Sequence, residues 1–234
     1  MNFLERLPAR VGDYLSRTSL DRFLHGQRVR NHTLLHDTEF LAFYAGLRQE
    51  RTALLSLREV YNLWRYGRMA LSVPGDFAEV GVFRGGGARV LREVKGGRLL
   101  HLFDTFTGMP ETDAVRDPSH QAGDFATAPL DNVKRYLGTA GIRYYPGFFP
   151  ATTVGHEPAL ERFAFVHLDV DIYQSTMDAL RFFYPRLSPG GLLITHDYSA
   201  LTCPGVAAAY DEFFADKPER ALPLWDSQAL IAKQ

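Results

Sequence analysis

Residues 75–91 read GDFAEVGVFRGGGARVL. An apolar, β-rich run reaches Gly81, three consecutive glycines follow at Gly85, Gly86 and Gly87, and a helix-forming stretch takes over. A strand that turns through glycine into a helix is the opening of a βα unit. Glycine there lets backbone approach a ligand closely, and the ligand lies at the strand's carboxyl end. The spacing G-x-x-x-G-G-G departs from the G-x-G-x-x-G of dinucleotide sites, which counts against a nicotinamide cofactor. Glu79, near the strand end, suits the amino group of a cationic cofactor. The plainer alternative is a tight strand-to-helix connection that holds no ligand.

Outward from this block, short β-rich runs alternate with helical or loop segments: DFAEVGV (76–82), RLLHLFDTF (98–106), IRYYPGFF (142–149), FAFVHLDV (163–170) and GLLITHDY (191–198). Such alternation predicts a parallel sheet with crossover helices, because parallel neighbours need long return connections. At the end, RALPLW and ALIAK are separated by Asp226-Ser227-Gln228, which is hairpin spacing. Residues 1–70 carry apolar positions at helical period in TEFLAFYAGLRQER and LLSLREVYNLWRYGRMAL. The expected fold is a doubly wound, Rossmann-like α/β sheet, mostly parallel with a C-terminal antiparallel hairpin, preceded by N-terminal helices. One domain over 1–234 is expected, with 1–70 as a helical cap and 71–234 as the binding core. The Pro/Gly/Asp-rich stretch from Met109 to Gly123 reads as a long loop of the kind that forms lids.

The chain has 234 residues, a formal charge of −1 and one cysteine. Mixed charge leaves no basic footprint for nucleic acid and no polybasic membrane patch, so a small-molecule partner is expected. A lone Cys203 excludes an internal disulfide, and MNFLERLPARVGDYL lacks the apolar run of a secretory signal. The expected location is the cytoplasm. The amphipathic N-terminal helices leave room for self-association as a homo-oligomer.

A second strand, in HLFDTFTGMP (101–110), ends at Asp104, where a carboxylate can accept hydrogen bonds from a ribose diol. Helix capping is its structural alternative. With the glycine turn, Asp104 reads as an adenosine-binding half. Farther on, Asp169 and Asp171 end one apolar strand, and His196 and Asp197 end the next. If those strands are neighbours, both pairs emerge at the ligand-binding edge. Carboxylates converging without basic partners repel, and a bound divalent cation such as Mg²⁺ relieves that repulsion. The plainer reading makes Asp171 a helix N-cap and His196 an ordinary core histidine. Tyr144, Tyr145, Phe148, Phe149, His101, His120 and His167 receive no role.

Taken together, GDFAEVGVFRGGGARVL, FDTFTGMP, GFFPATT, HLDVDIYQSTMDALRFFYPRLSPGGLLITHDYS and the final hairpin resemble the macrocin O-methyltransferase family, enzymes that methylate deoxysugar hydroxyls in macrolide and aminocoumarin biosynthesis. The resemblance covers most of residues 52–234. It implies S-adenosylmethionine as cofactor, bound by Glu79, the Gly81, Gly85, Gly86 and Gly87 turn, Asp104 and Asp169. It also implies a sugar-bearing acceptor and a Mg²⁺ slot at Asp169, His196 and Asp197. The family's usual Asp-Asp is His196-Asp197 here, and its Asp-Gly-Asp is Asp169-Val170-Asp171. Histidine is a softer ligand than Mg²⁺ prefers, so Mg²⁺, Mn²⁺ or a metal-free site with His196 as base are all open. Methyl transfer needs an acceptor oxygen held in line with the methyl carbon and a base for its proton, and Asp169 and His196 are the candidates.

Four other readings compete. Asp169-Val170-Asp171 matches the D-x-D of nucleotide-sugar glycosyltransferases, though such a site also needs basic residues for the diphosphate. His196 with the aspartates resembles an iron facial triad of a metal-dependent oxygenase or hydroxylase. The glycine spacing disfavours a nicotinamide oxidoreductase, and the altered aspartate slot leaves room for a non-enzymatic binding protein on a retained fold.

Overall fold

In the computed structural model, which describes residues 33–50 and 52–234, the six residues FAFVHL form a strand buried along its whole length. That is the pattern of a parallel strand covered on both faces. The strands are β1 (Asp76–Val80), β2 (Leu100–Asp104), β3 (Ile142–Pro146), β4 (Phe163–Leu168), β5 (Leu187–Thr195), β6 (Leu222–Pro223) and β7 (Ala229–Ala232). The helices are α1 (Thr38–Glu50), α2 (Leu57–Met69), α3 (Gly86–Val94), α4 (Leu130–Leu137), α5 (Tyr173–Phe183) and α6 (Pro204–Phe213). The sheet order is β3-β2-β1-β4-β5-β7-β6. Strands β1 to β5 pair in parallel, while β7 joins β5 and β6 antiparallel. The chain order reverses between β1 and β4, the switch point at which open α/β sheets form their crevice.

Two compact units are distinguished, residues 1–46 and 47–234. In the first, the described part holds a 3₁₀ turn, Thr33–His36, and the start of α1. The helical expectation for residues 1–32 lies outside the described residues. In the second, α2 starts on a capping box: the Ser56 hydroxyl accepts from the Glu59 amide, and the Glu59 carboxylate accepts from the Ser56 amide. The segment 109–123 carries turns but no regular element, as its composition predicts.

The aromatic residues of β3 and its following loop divide their work. Tyr145 stacks on Phe103 with centroids 4.5 Å apart, and Phe149 stacks on Phe183 at 5.6 Å. Such pairs add about 0.5–1.5 kcal/mol beyond the area they bury. Phe148, by contrast, is 58% exposed. No described helix is long and apolar enough to cross a membrane.

Candidate active site

Register fixes the site. Val80 of β1 lies level with Leu168 of β4, and Leu168 with Thr195 of β5. The next residue of each strand, Gly81, Asp169 and His196, therefore emerges at one height on the carboxyl edge. The ladder runs one rung further: the Asp169 amide donates to Val80 O at 2.9 Å, and the His196 amide to Leu168 O at 2.8 Å. Gly81 has φ +84° and lies so close to Asp169 that a Cβ would stand 1.7 Å from the Asp169 carbonyl oxygen. Only glycine fits where these two strand ends meet.

The other glycines have packing reasons. A Cβ on Gly86 would stand 2.4 Å from Ala53 Cα, and one on Gly87 would stand 2.1 Å from Glu79 Oε1. Close seating of α3 on its surroundings therefore accounts for part of the glycine run, Gly85 serves the turn with φ +84°, and Gly81, Gly86 and Gly87 remain at the cleft wall. Glu79 itself is 1% exposed and bonds His167 Nδ1 at 2.8 Å. It underlies the turn and does not wall the cleft.

Asp104 ends β2 beside the turn, but no helix follows it, so the capping alternative falls. Its Oδ2 accepts from the amides of Val82 (2.7 Å) and Phe83 (2.8 Å), and its Oδ1 from Phe106 (2.6 Å). One carboxylate thus braces the loops after both β1 and β2. A carboxylate offers about four lone-pair sites, so one is left for a ligand hydroxyl.

The cleft above this edge has a volume of about 570 Å³, within the range of small-molecule sites. Phe83, Phe106, Met109, Phe125 and Phe148 give it apolar walls, while Asp104, Asp169, Asp171, His196 and Asp197 line its polar floor. Of the residues singled out in the sequence, Gly81, Gly86, Gly87, Asp104, Asp169, His196 and Asp197 line it; Glu79 and Gly85 do not.

At the floor, His196 Nδ1 lies 3.1 Å from Asp169 Oδ1 and 2.8 Å from Asp197 Oδ2. Its Nε2 stands 3.4 Å from Glu59 Oε1, an ion-pair contact outside hydrogen-bonding geometry. The carboxylates therefore have a basic partner, contrary to the expectation of bare repulsion, and it is His196. Burial would lower the imidazole pKa, but Asp169, Asp197 and Glu59 outweigh it and hold it well above the ordinary value. Burial would raise Glu59, yet the His196 imidazole beside it, with the Ser56 amide and the Ser227 hydroxyl, brings it down to about 2. Asp169 is likewise lowered by His196 against its burial, while Asp171 is pushed well up by burial and by the charge of Asp169. Asp171 and Asp197 both adopt left-handed backbone, φ +60° and +59°, a costly conformation for non-glycine residues.

Asp171 does not cap α5. That cap comes from Asp117 in the long loop, which is 1% exposed and accepts from the Tyr173 amide at 2.9 Å. Arg116 lies over the Tyr173 ring at 3.8 Å, so the 109–123 segment is fastened to the start of α5. Replacing Asp117 by Ala is expected to cost about 1–2 kcal/mol in urea unfolding, the usual value of a lost cap.

Glu79 carries a second measurable effect. Burial lifts its carboxyl from the ordinary 4.5 to about 7, with the charges of Asp169 and Asp104 adding to the rise and His167 opposing it. Between those values the folded protein holds a proton that the unfolded chain releases, so stability falls as pH rises from 4.5 to 7. Across that window the wild type should lose about 3 kcal/mol relative to Glu79→Gln, at about 1.4 kcal/mol per unit. Urea denaturation of both proteins at pH 5 and 7.5 measures the difference.

Glu59, His167 and Asp117 were missed in the sequence. Glu59 belongs to the Ser56 capping box that the structure shows, and nothing local in the chain ties it to His196.

A mostly parallel seven-stranded sheet with its crevice at the β1/β4 switch and a C-terminal hairpin is the fold of the Rossmann-like O-methyltransferases. The crystal structure of the calicheamicin methyltransferase CalS11 superposes with TM-score 0.69 at 22% identity, over 92% of this chain and 93% of that one. Residues 67–223 match the family Macrocin-O-methyltransferase (TylF), and the chain belongs to that family. Among curated relatives, it is 36% identical over 151 residues to 8-demethyl-8-(2,3-dimethoxy-alpha-L-rhamnosyl)-tetracenomycin-C 4'-O-methyltransferase of Streptomyces olivaceus, covering 58% of this chain and 57% of that protein. It is 32% identical over 170 residues to Mycinamicin III 3''-O-methyltransferase of Micromonospora griseorubida, covering 64% and 66% respectively. The chain thus spans less than two thirds of the length of either relative.

Proposed function

We propose that this protein is an S-adenosylmethionine-dependent O-methyltransferase that methylates a hydroxyl of a sugar carried by a natural product or glycan, with assistance from a divalent cation. The observation that carries the reading is one cleft in which the Asp104-braced glycine turn adjoins the Asp169–His196–Asp197 floor. The sugar-modifying names of the two relatives point to the acceptor class. The same proposal takes 71–234 as the catalytic core, 1–70 as its helical cap, and the cytoplasm as the location, on the single buried thiol.

The residues fit the groups this reading requires. Val82, Phe83 and Phe106 shape the adenosine end through Asp104, whose remaining lone pair suits a ribose hydroxyl. Asp169, His196 and Asp197 each offer one donor atom within 4.8 Å of the others. Three carboxylates around one imidazole leave negative charge to compensate, which suits a divalent cation; the nitrogen donor favours Mn²⁺ over Mg²⁺. Bound there, the cation would acidify the acceptor hydroxyl and orient it.

In the transfer the acceptor oxygen forms a bond to the methyl carbon as the carbon–sulfur bond breaks, and the hydroxyl proton leaves to a base. Asp169 is the better base of the two candidates. Its carboxyl is held below the ordinary range, whereas His196 either gives its ring lone pair to the cation or, without one, is held protonated by its carboxylate neighbours, and in neither state is it free to take the proton. His196 instead orients Asp169 and Asp197.

A glycosyltransferase is disfavoured because basic side chains to receive a diphosphate are scarce: Arg84 is the one arginine among the described residues that line the cleft.

Calorimetric titration with S-adenosylmethionine after EDTA treatment, then with Mn²⁺ or Mg²⁺, tests the proposal together with labelled-methyl transfer to rhamnosylated acceptors. Micromolar binding with metal-stimulated transfer is expected. Absence of binding under every condition would overturn the cofactor assignment.

A further inference from the structure

At the edge of the floor, and including its Asp171, stands another set of donors that methyl transfer does not use. His120 comes from the connection after β2, Asp171 from the turn between β4 and α5, and Cys203 from the residue before α6. One donor atom from each lies within 4.8 Å of the other two. His120 Nε2 is 3.4 Å from Cys203 Sγ. A tetrahedral cation bonded to sulfur at about 2.3 Å and nitrogen at about 2.0 Å sets those two atoms about 3.5 Å apart. The pair already stands at ligation spacing. The second imidazole nitrogen, Nδ1, faces Asp124 Oδ2 at 4.0 Å, the side on which an outer carboxylate orients a ligating histidine.

We propose that His120, Asp171 and Cys203 form a second metal site, separate from Asp169, His196 and Asp197, for a borderline-soft divalent cation such as Zn²⁺. Thiolate, imidazole and carboxylate suit zinc, and three protein ligands leave a fourth position for water. Binding forms the metal–sulfur bond and releases the thiol proton to solvent, with no change of oxidation state. Burial holds the Cys203 thiol up at about 12, so without a cation it stays protonated and inert. With one, three segments separated in sequence are tied together, and the 105–129 connection is stapled over the cleft. This site does not depend on the methyl-transfer reading.

The chain's one cysteine gives the test a unique signal. Chelator-treated protein is titrated with Co²⁺ while the near-ultraviolet thiolate-to-cobalt charge-transfer band is followed. Wild type should develop the band, saturate at one equivalent of thiolate-bound metal, and lose it when Zn²⁺ is added. Asp197→Asn should keep the band, because its side chain belongs to the neighbouring site. His120→Ala should weaken cobalt binding by about 100-fold or more, and Cys203→Ser should abolish the band. Zn²⁺ should also raise the Tm of wild type by more than that of Cys203→Ser, which keeps only the Asp169–His196–Asp197 site. Folded wild type that gives no charge-transfer band would overturn the proposal, as would a Zn²⁺ effect on Tm equally large in wild type and Cys203→Ser.

Discussion

Asp169→Asn should fold, bind S-adenosylmethionine within about threefold of wild type, and transfer methyl groups about 1,000-fold more slowly, the middle of the range for losing a general base. The substitution keeps the side chain's shape and one oxygen to accept from His196, and it leaves the backbone bond from the Asp169 amide to Val80 O in place. What it removes is the negative charge that takes the proton and faces the imidazole at 3.1 Å. Single-turnover transfer of labelled methyl, read beside calorimetric cofactor affinity, separates the two effects. Turnover within tenfold of wild type would remove Asp169 from the chemistry.

Asp104→Ala should produce the complementary defect: cofactor affinity about 100-fold weaker and stability lower by about 3 kcal/mol. The stability loss follows from three amides left without their acceptor, those of Val82, Phe83 and Phe106, at about 1 kcal/mol each for partly buried groups. The affinity loss has two sources, the missing ribose acceptor and the relaxed turn. Asp104→Asn should fall between, since its amide oxygen can still accept from Val82 and Phe83 while its NH₂ opposes the Phe106 amide. Calorimetry and urea denaturation of both variants provide the check. Unchanged affinity in Asp104→Ala, with the stability loss present, would leave Asp104 as a brace alone.

Much of this was legible in the chain because the signals are local. A βα turn announces itself by strand, glycine and helix in succession. Asp104, Asp169 and His196-Asp197 end apolar runs, and the condition that the Asp169 and His196 strands be neighbours is met by the adjacent β4 and β5. The hairpin was readable from its short spacing. Partners distant in the chain were not readable. Asp117 caps a helix 56 residues away, and α2 brings Glu59 to His196 across the chain. Neither leaves a periodic or compositional trace. Two features of the site carry more than their sequence signals suggest. Gly86 and Gly87 look like ligand-approach glycines; they line the cleft and also seat α3 against Ala53 and Glu79. The carboxylates were expected to lack a basic partner, yet His196 stands 3.1 Å from Asp169 and 2.8 Å from Asp197. In both cases the residue type was noticed correctly, and only its three-dimensional neighbours decide what it does.

The left-handed backbone at Asp171 and Asp197 bears on how this protein can be engineered. Glycine would occupy either position without steric cost, so a screen rewarding heat tolerance alone has a ready route to hardier chains there, at the expense of the carboxylates that line the cleft floor. Stabilising campaigns on this scaffold should therefore hold both positions fixed and seek their gains elsewhere, because here robustness and chemistry compete for the same two residues.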